Sequence, residues 1–159
     1  MSRDGATTVA PAVTVRRATA DDVDVVHDLI LAIARHHDQA QHVHTTAAQM
    51  RTDGFGADPK FGVLLAEVDG EVAGYASWAS NYSIWLGGHY MNIDDVFVWE
   101  RFRGLRVGEA LMQRARGLCR ELGLPRLRWE VQADNAGAIR FYERLGAVMR
   151  TKGVFGWAA

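Results

Sequence analysis

The chain has 159 residues and a formal net charge of −1, with 48% hydrophobic and 23% charged residues. This balance is typical of one globular domain with a proper core, and it excludes the strong basic field of nucleic-acid-binding proteins. No apolar run reaches the roughly 18 residues that a membrane span needs, and the only cysteine, Cys119, cannot form an internal disulfide. We therefore expect a soluble, cytoplasmic, single-domain protein that binds neither nucleic acid nor membrane.

The first elements that the sequence predicts are a strand and a capped helix. Residues 1–12 are small and polar and are expected to form a flexible tail, so the folded domain would span residues 13–159. Hydrophobic residues alternate in VTVRRA (13–18), as they do in a strand. Thr19 and Asp22 have the spacing of a capping box, and apolar residues then recur at helical spacing. This pattern predicts an amphipathic helix after the first strand.

Histidines crowd the predicted end of this helix, in the stretch RHHDQAQHVH (35–44). A solvated helix end, a substrate-binding segment and a metal site are three open interpretations, although the spacing matches no strong metal signature. Thr45 or Thr46 can cap a second, short helix that ends near Gly54. Two helices are therefore expected between the first strand and the next one.

Three long strand patterns follow the two helices. FGVLLAEV (61–68) and EVAGYASWAS (71–80) flank Asp69-Gly70, a strong signal for a two-residue hairpin turn. HYMNIDDVFVW (89–99) is the third pattern. This order predicts a run of three antiparallel strands.

The segment RFRGLRVGEAL (101–111) combines glycines at 104 and 108 with three arginines and leads into a predicted helix. Because helix N-termini offer unpaired N–H groups and the positive end of a dipole, the segment suits an anion. An ordinary strand-to-helix turn with exposed arginines is the alternative. The helix would bury Val107, Leu111, Leu118 and Leu122 and would end at Gly123 and Pro125.

The rest of the chain predicts a strand, a helix and a last extended strand. RLRWEVQ (126–132) is the strand, Asn135 can cap a helix through Leu145 that Gly146 stops, and residues 147–157 supply the last segment. The order of elements predicts an α/β fold with a mixed, mostly antiparallel central sheet flanked by helices. The arginine-rich segment then follows the end of a sheet strand, where α/β sheets tend to bind ligands.

Two adjacent carboxylates, Asp94 and Asp95, interrupt an apolar strand. Strict alternation would put Asp94 on the face of Val96. It would put Asp95 on the opposite face, together with Ile93 and Phe97. A pair that faces solvent or an arginine is one interpretation, and a carboxylate that takes a proton or holds a cation is the other.

Two separate motifs resemble one protein family. RGLRVG before a helix, with NAGAIRFYERLGA (135–147) downstream, is similar to the phosphate loop and the later motif of the GNAT superfamily of acetyl-CoA-dependent N-acetyltransferases. DGFGADPKFGVLLAE (53–67) and NYSIWLGGHYMNIDDVFV (81–98) resemble the diamine and polyamine acetyltransferases of the spermidine/spermine and thialysine type. The resemblance runs from about Val13 to Gly146. It implies a GNAT fold, acetyl-CoA as the acetyl donor, a small-molecule amine acceptor, no metal and a homodimer.

The resemblance also implies roles for individual residues. Tyr142 would protonate the departing CoA thiolate, whereas the helical pattern alone favours a core aromatic with a satisfied hydroxyl group. Asp94, where the polyamine enzymes carry a glutamate, would help to deprotonate the ammonium through water, and an N–H near the kink of the strand would polarise the thioester carbonyl. The implied cofactor-binding residues are Val96, Phe97, Val98, Arg103, Gly104, Leu105, Arg106, Val107, Gly108, Glu109, Asn135, Ala136, Gly137, Ala138 and Tyr142. The predicted acceptor-binding residues are Asp95, His36, His37, Asp38, Trp85, Trp129 and Glu130.

Two features depart from the family pattern. Arg106 stands where the phosphate loop has glycine, which affects the backbone shape of the loop although arginine can still donate to a phosphate. The stretch 35–44 contains one carboxylate, Asp38, where the polyamine enzymes have several acidic residues, so a small amine or one with an anionic group is expected rather than spermidine. Four aromatic residues either line an acceptor pocket or pack on the sheet: Trp78, Tyr82, Trp85 and Trp129.

The predicted function is acetyl transfer to a primary amine, of the diamine, polyamine or amino-acid-like kind, by direct attack in a ternary complex. Cys119 is then not needed as a nucleophile and is expected to be a buried structural thiol. A non-catalytic acyl-CoA-binding sensor or interaction module of the same fold is the alternative. The presence of both Tyr142 and Asp94 favours the enzyme, whereas Arg106 favours the module slightly.

Overall fold

A computed structural model describes residues 11–158 of the chain. Most of the predicted tail, residues 1–12, therefore lies outside the described residues. Contacts divide the chain into two compact units, of which the first ends at Arg128 and the second begins at Trp129. Among residues 11–158, no helix combines the length and the apolar character that crossing a membrane requires.

The described residues form strands and α-helices in an order that confirms the predicted α/β fold class. The elements are β1 (Val13–Arg17), α1 (Val23–His36), α2 (Ala47–Phe55), β2 (Phe61–Val68), β3 (Glu71–Ser83), β4 (Gly88–Val98), α3 (Val107–Glu121), β5 (Leu127–Trp129) and α4 (Ala136–Arg144). The sheet is five-stranded, mixed and mostly antiparallel, with the strand order β1-β2-β3-β4-β5. The first four strands pair antiparallel with their neighbours.

Local sequence signals account for most of these boundaries. The capping box of Thr19 and Asp22 is present, and it starts one turn of 3₁₀-helix that continues directly into α1. Thr46, rather than Thr45, caps α2, because its side-chain oxygen accepts a hydrogen bond from the Gln49 N–H at 3.1 Å. At the turn between β2 and β3, Asp69 and the glycine after it have φ values of 51° and 85°, as a tight hairpin turn requires. The predicted hairpin is confirmed.

Both faces of the sheet are covered. Leu64 and Leu65 are consecutive in β2 and therefore point to opposite faces, yet both are fully buried. Leu65 packs with α1 and α2 in a core cluster that includes Val26 and Tyr75. α3 packs against β1, β2, β3 and β4 and buries most of its predicted apolar side. Leu122 is the exception, since it lies beyond the end of α3 and is exposed.

β4 contains a bulge at the two aspartates. Ser77 of β3 lies opposite Asp95. The next residue of β3, Trp78, lies opposite Ile93, which leaves Asp94 as an extra residue in β4. Because consecutive residues of β3 point to opposite faces, Asp95 and Ile93 also lie on opposite faces. The prediction that they share a face is wrong, since the extra residue reverses the alternation.

The predicted last strand is also absent from the described residues. Residues 147–158 form neither strand nor helix. Val154, Phe155 and Trp157 are almost completely exposed there. An extended apolar pattern becomes a strand only when its backbone groups pair with a neighbouring strand, and this segment has no such pairing among residues 11–158.

Candidate active site

The bulge in β4 separates the environments of the two aspartates. Asp94, the extra residue, is exposed, and one of its carboxylate oxygens accepts a hydrogen bond from the Asn92 side-chain amide at 2.8 Å. Asp95 is half-buried on the α1 side of the sheet. One carboxylate is therefore available to solvent and ligands, and the other is largely withdrawn from water.

Asp95 lies among polar groups from three elements. The hydroxyl group of Tyr75 in β3 donates a hydrogen bond to Asp95 Oδ2 at 3.3 Å, and the side chain of Ser77 also bonds to this carboxylate. Burial raises the pKa of Asp95, and the neighbouring charge of Asp94 raises it further. The Tyr75 and Ser77 hydrogen bonds and the charge of His37, at the end of α1, all lower that pKa. The charge of His37 thus acts on the Asp95 carboxylate.

The predicted phosphate loop contains two residues in the left-handed backbone conformation. Gly104 and Arg106 both have positive φ values, 82° and 62°, and α3 begins at the next residue, Val107. A Cβ atom on Gly104 would meet nothing within 4 Å, so the space above this part of the loop is open. The first N–H groups of α3 have no partners within the helix and carry the positive end of its dipole. The loop therefore suits a phosphate group.

Arg106 replaces glycine at a position where the backbone still has a glycine-like conformation. Its guanidinium group donates two hydrogen bonds to the Glu109 carboxylate, at 2.9 and 2.7 Å. This ion pair raises the pKa of Arg106. A phosphate group in the loop would compete with Glu109 for the arginine, while the backbone donors stay in place.

Arg106→Gly and Arg106→Ala form a matched pair that tests this backbone conformation. Both variants lose the exposed ion pair, but only alanine keeps a Cβ atom in the left-handed conformation. We expect the glycine variant to melt about 3 °C higher than the alanine variant, the reverse of their usual order in helices. Thermal unfolding followed by circular dichroism measures the difference. A higher melting temperature for the alanine variant would contradict the left-handed conformation.

In the second unit, Tyr142 lies on α4 beside two aromatic rings. Its ring centroid is 5.1 Å from that of Trp129 and 5.0 Å from that of Phe141. Tyr142 is half-buried, and this burial raises the pKa of its phenol, so the group stays protonated at neutral pH. Asn135 caps α4 as predicted, because its side-chain oxygen accepts a hydrogen bond from the Ala138 N–H at 3.0 Å.

Several predicted site residues lie at the surface. His36 ends α1 and His37 follows it, with the two rings in edge contact, and Asp38 comes next with a φ of 55°. Trp85 is 97% exposed in the turn between β3 and β4, whereas Trp129 is half-buried. Other predicted site residues lie at the ends of strands or at the start of a helix. The structure places Val96, Phe97 and Val98 at the end of β4, residues 136–138 at the start of α4, and Glu130 directly after β5.

Two further predictions concern cysteine chemistry and metals. Cys119 is buried in α3, and its thiol donates a hydrogen bond to the Leu124 carbonyl at 3.4 Å, which confirms a buried thiol. Burial raises its pKa, which disfavours the reactive thiolate. Within residues 11–158, no group of three or more potential ligands is placed to hold a metal ion.

Sequence reasoning missed the polar contacts of Asp95. Tyr75 and Ser77 lie in an apolar strand pattern and had no predicted role beyond packing. A tyrosine and a serine two residues apart on one face of a strand are a weak signal for a polar site, because buried hydroxyl groups need partners. The Trp78 indole N–H, on the other face, is buried without a hydrogen-bond partner among the described residues.

Known proteins share both the sequence patterns and the fold of this chain. Residues 25–147 match the model of the Acetyltransferase (GNAT) family. Thialysine N-epsilon-acetyltransferase of Bos taurus is 29% identical over 143 residues, which cover 85% of this chain and 84% of that protein. Streptothricin acetyltransferase of Streptomyces lavendulae is 37% identical over 94 residues, which cover 59% of this chain and 47% of that protein.

Among solved structures, an aminoglycoside acetyltransferase from an uncultured soil metagenomic sample superposes with a TM-score of 0.78. The superposition covers 92% of this chain and 95% of that chain at 13% sequence identity, so it shows a shared fold. The family match, in contrast, covers more than half of this chain and includes β4, the phosphate loop and α4. The protein therefore belongs to the GNAT family of acetyltransferases and is an N-acetyltransferase of that family.

Proposed function

We propose that the protein transfers the acetyl group of acetyl-CoA to a primary amine of a small molecule, by direct attack in a ternary complex. The observation that carries this proposal is the carboxylate pair at the β4 bulge, with Asp94 exposed and Asp95 half-buried. An alkylammonium has to lose a proton before it can attack a thioester, and a nearby carboxylate accepts that proton directly or through water. Asp94 is the proposed base, and Asp95 is the proposed anchor for the cationic amine.

The donor acetyl-CoA is proposed to bind along the end of β4 and in the loop that follows. The backbone of residues 96–98 holds the pantetheine arm, and residues 103–109 wrap the pyrophosphate with their N–H groups. The family resemblance adds cofactor contacts from Asn135 and residues 136–138. It also makes Tyr142 the acid that protonates the CoA thiolate, a role that suits a phenol whose pKa burial raises.

The charges near Asp95 favour an acceptor that is not a polycation. His36 and His37 lie at the α1 end where acidic residues would suit spermidine, and Asp38 is the only carboxylate in this stretch. A histidine can donate hydrogen bonds to an anionic group of the acceptor while Asp95 binds its ammonium group. An amino-acid-like amine fits this combination, and the name of the thialysine acetyltransferase that this chain resembles points to the same class.

Release of free CoA thiol from acetyl-CoA tests the proposal across a panel of amines. The panel contains thialysine, lysine, diaminopropane, spermidine, streptothricin and an aminoglycoside. We expect turnover with at least one amine and a higher kcat/KM for the amino-acid-like amines than for spermidine. Tight acetyl-CoA binding by calorimetry without turnover on any amine would instead support an acyl-CoA sensor. A preference for spermidine would overturn the acceptor class but not the reaction.

We also propose that the protein is a homodimer, as its family resemblance implies. The turn between β3 and β4 carries exposed apolar residues, Ile84, Trp85 and Leu86, which a second copy of the chain would cover. Sedimentation equilibrium measures the mass in solution. A monomer at micromolar concentration would contradict the proposal, and conversion of the dimer to a monomer by Trp85→Glu would support this surface as the interface.

A further inference from the structure

We infer that Tyr75 is a positioning residue for the acceptor amine, because its buried hydroxyl group holds the Asp95 carboxylate in place. The inference rests on the function proposed above, in which Asp95 binds the ammonium group. Tyr75 itself lies too deep in the core to touch a ligand, since its exposed fraction is 0%. It acts through the hydrogen bond that it donates to Asp95.

The core around Tyr75 fixes the direction of its hydroxyl group. The ring packs with Val26, Leu65 and Phe97 in the cluster beneath α1, and its centroid lies 6.5 Å from that of Phe97. A ring held on all sides cannot turn away without disturbing the packing. The hydroxyl group therefore points along the sheet to one place, the Asp95 carboxylate.

The register between β3 and β4 on the C-terminal side of the bulge accounts for this contact. Tyr75 lies opposite Phe97 and, two residues on, Ser77 lies opposite Asp95, so all four side chains share the α1 face. Without the extra residue at Asp94, side chains would alternate between the two faces of the sheet without interruption along β4. The extra residue places Ile93 and Asp95 on opposite faces. At the bulge, the exposed Asp94 carboxylate and the half-buried Asp95 carboxylate therefore belong to adjacent residues.

Groups from three elements affect how the Asp95 carboxylate titrates. Asp94 on the same strand raises its pKa, as does burial, while His37 from α1 and the hydroxyl groups of Tyr75 and Ser77 from β3 lower it. The Tyr75 hydrogen bond is the largest of these lowering effects. Loss of this hydroxyl group would therefore let the Asp95 carboxylate protonate at a higher pH and would remove one of the hydrogen bonds that orient it.

Tyr75→Phe removes the hydroxyl group and keeps the ring that packs in the core. With an accepted amine, we expect KM for the amine to rise about tenfold and kcat to change less than about threefold. The acidic limb of the kcat/KM profile should move to higher pH, because a hydrogen bond that favours the ionised carboxylate is lost. The dissociation constant for acetyl-CoA should stay unchanged. A merely structural role would not move the pH profile.

Tyr90→Phe is the matched control, since Tyr90 is a half-buried tyrosine of β4 with no proposed role. It should match the wild type in KM and in pH profile. A Tyr75→Phe variant that behaves like this control would overturn the inference while leaving the proposed acetyl transfer intact.

A second measurement does not depend on turnover. Carbon-13 NMR of the aspartate carboxyl groups, with Asp95→Asn to assign the resonance, gives the Asp95 pKa in the wild type and in Tyr75→Phe. A higher pKa in Tyr75→Phe supports the contact even if every amine in the panel fails, in which case the proposed function fails and the positioning of the carboxylate stands. An unchanged pKa overturns the inference whatever the activity.

Discussion

Replacing Tyr142 with phenylalanine is expected to lower kcat by about 10²–10⁴-fold, the range typical of a lost general acid. The thiolate of CoA is then released without a proton donor. Acetyl-CoA should bind within about twofold of the wild-type dissociation constant, because the phenylalanine ring keeps the contacts with Trp129 and Phe141. Thiol release gives kcat, and calorimetry gives the dissociation constant.

The raised pKa of Tyr142 also predicts how the loss of activity depends on pH. Burial raises the pKa above its ordinary value of 10.0, so the wild-type acid should stay protonated throughout the neutral range. The deficit of Tyr142→Phe should consequently be constant between about pH 6 and 9. Unchanged turnover in the variant would remove Tyr142 from the mechanism, and a loss of acetyl-CoA affinity of the same size as the loss of kcat would make it a binding residue instead.

Asp94→Asn is expected to lower kcat/KM for the amine by about 10²-fold at pH 7, because the proposed base is lost. The deficit should shrink as the pH rises towards about 10, where a growing fraction of a lysine-like amine is already deprotonated in solution. Protein stability should hardly change, since Asp94 is exposed and the asparagine oxygen can still accept the Asn92 hydrogen bond. Thiol release across pH 6–10 measures the effect. A deficit that is independent of pH would mean that Asp94 does not act as a base.

Asp95→Asn serves as the comparison for Asp94→Asn, because it is expected to change protein stability as well as KM for the amine. The folded-state pKa of Asp95 is raised above its ordinary value of 3.8, so ionisation costs stability as the pH rises through the raised value. The asparagine variant should therefore be more stable than the wild type at pH 7, and this advantage should disappear below pH 3.8. Urea unfolding at several pH values measures it, while KM for the amine should rise. Equal pH dependence of stability in the two proteins would contradict a raised pKa of Asp95.

Signals within a few residues were enough to predict much of this fold. The Thr19 capping box, the Asn135 cap and the Asp69-Gly70 turn depend on bonds between neighbours in the chain, and each is present. Two local predictions needed revision. Leu122 continues the helical spacing but lies past the end of α3, and the apolar residues after α4 form no strand among the described residues because nothing there pairs with their backbone.

The candidate site was predictable only in part. The loop at 103–109 and the positions of Asp94 and Tyr142 came from motifs and from the family resemblance they carry. The motif also marked Arg106 as a departure, but only the structure showed that arginine adopts the left-handed conformation of the missing glycine. The sequence likewise predicted histidines near the acceptor without distinguishing the one whose charge acts on Asp95.

By itself the sequence determined the order of the elements, their caps and turns, and the family to which the protein belongs, because these follow from residues close together in the chain. Tertiary structure alone decided which face each aspartate occupies. The register between β3 and β4 places an extra residue at Asp94 and joins Asp95 to Tyr75, twenty residues away. Strand register depends on how the whole sheet buries its side chains. A one-residue shift in register, which moves side chains to the opposite face, therefore cannot be predicted from the local sequence pattern.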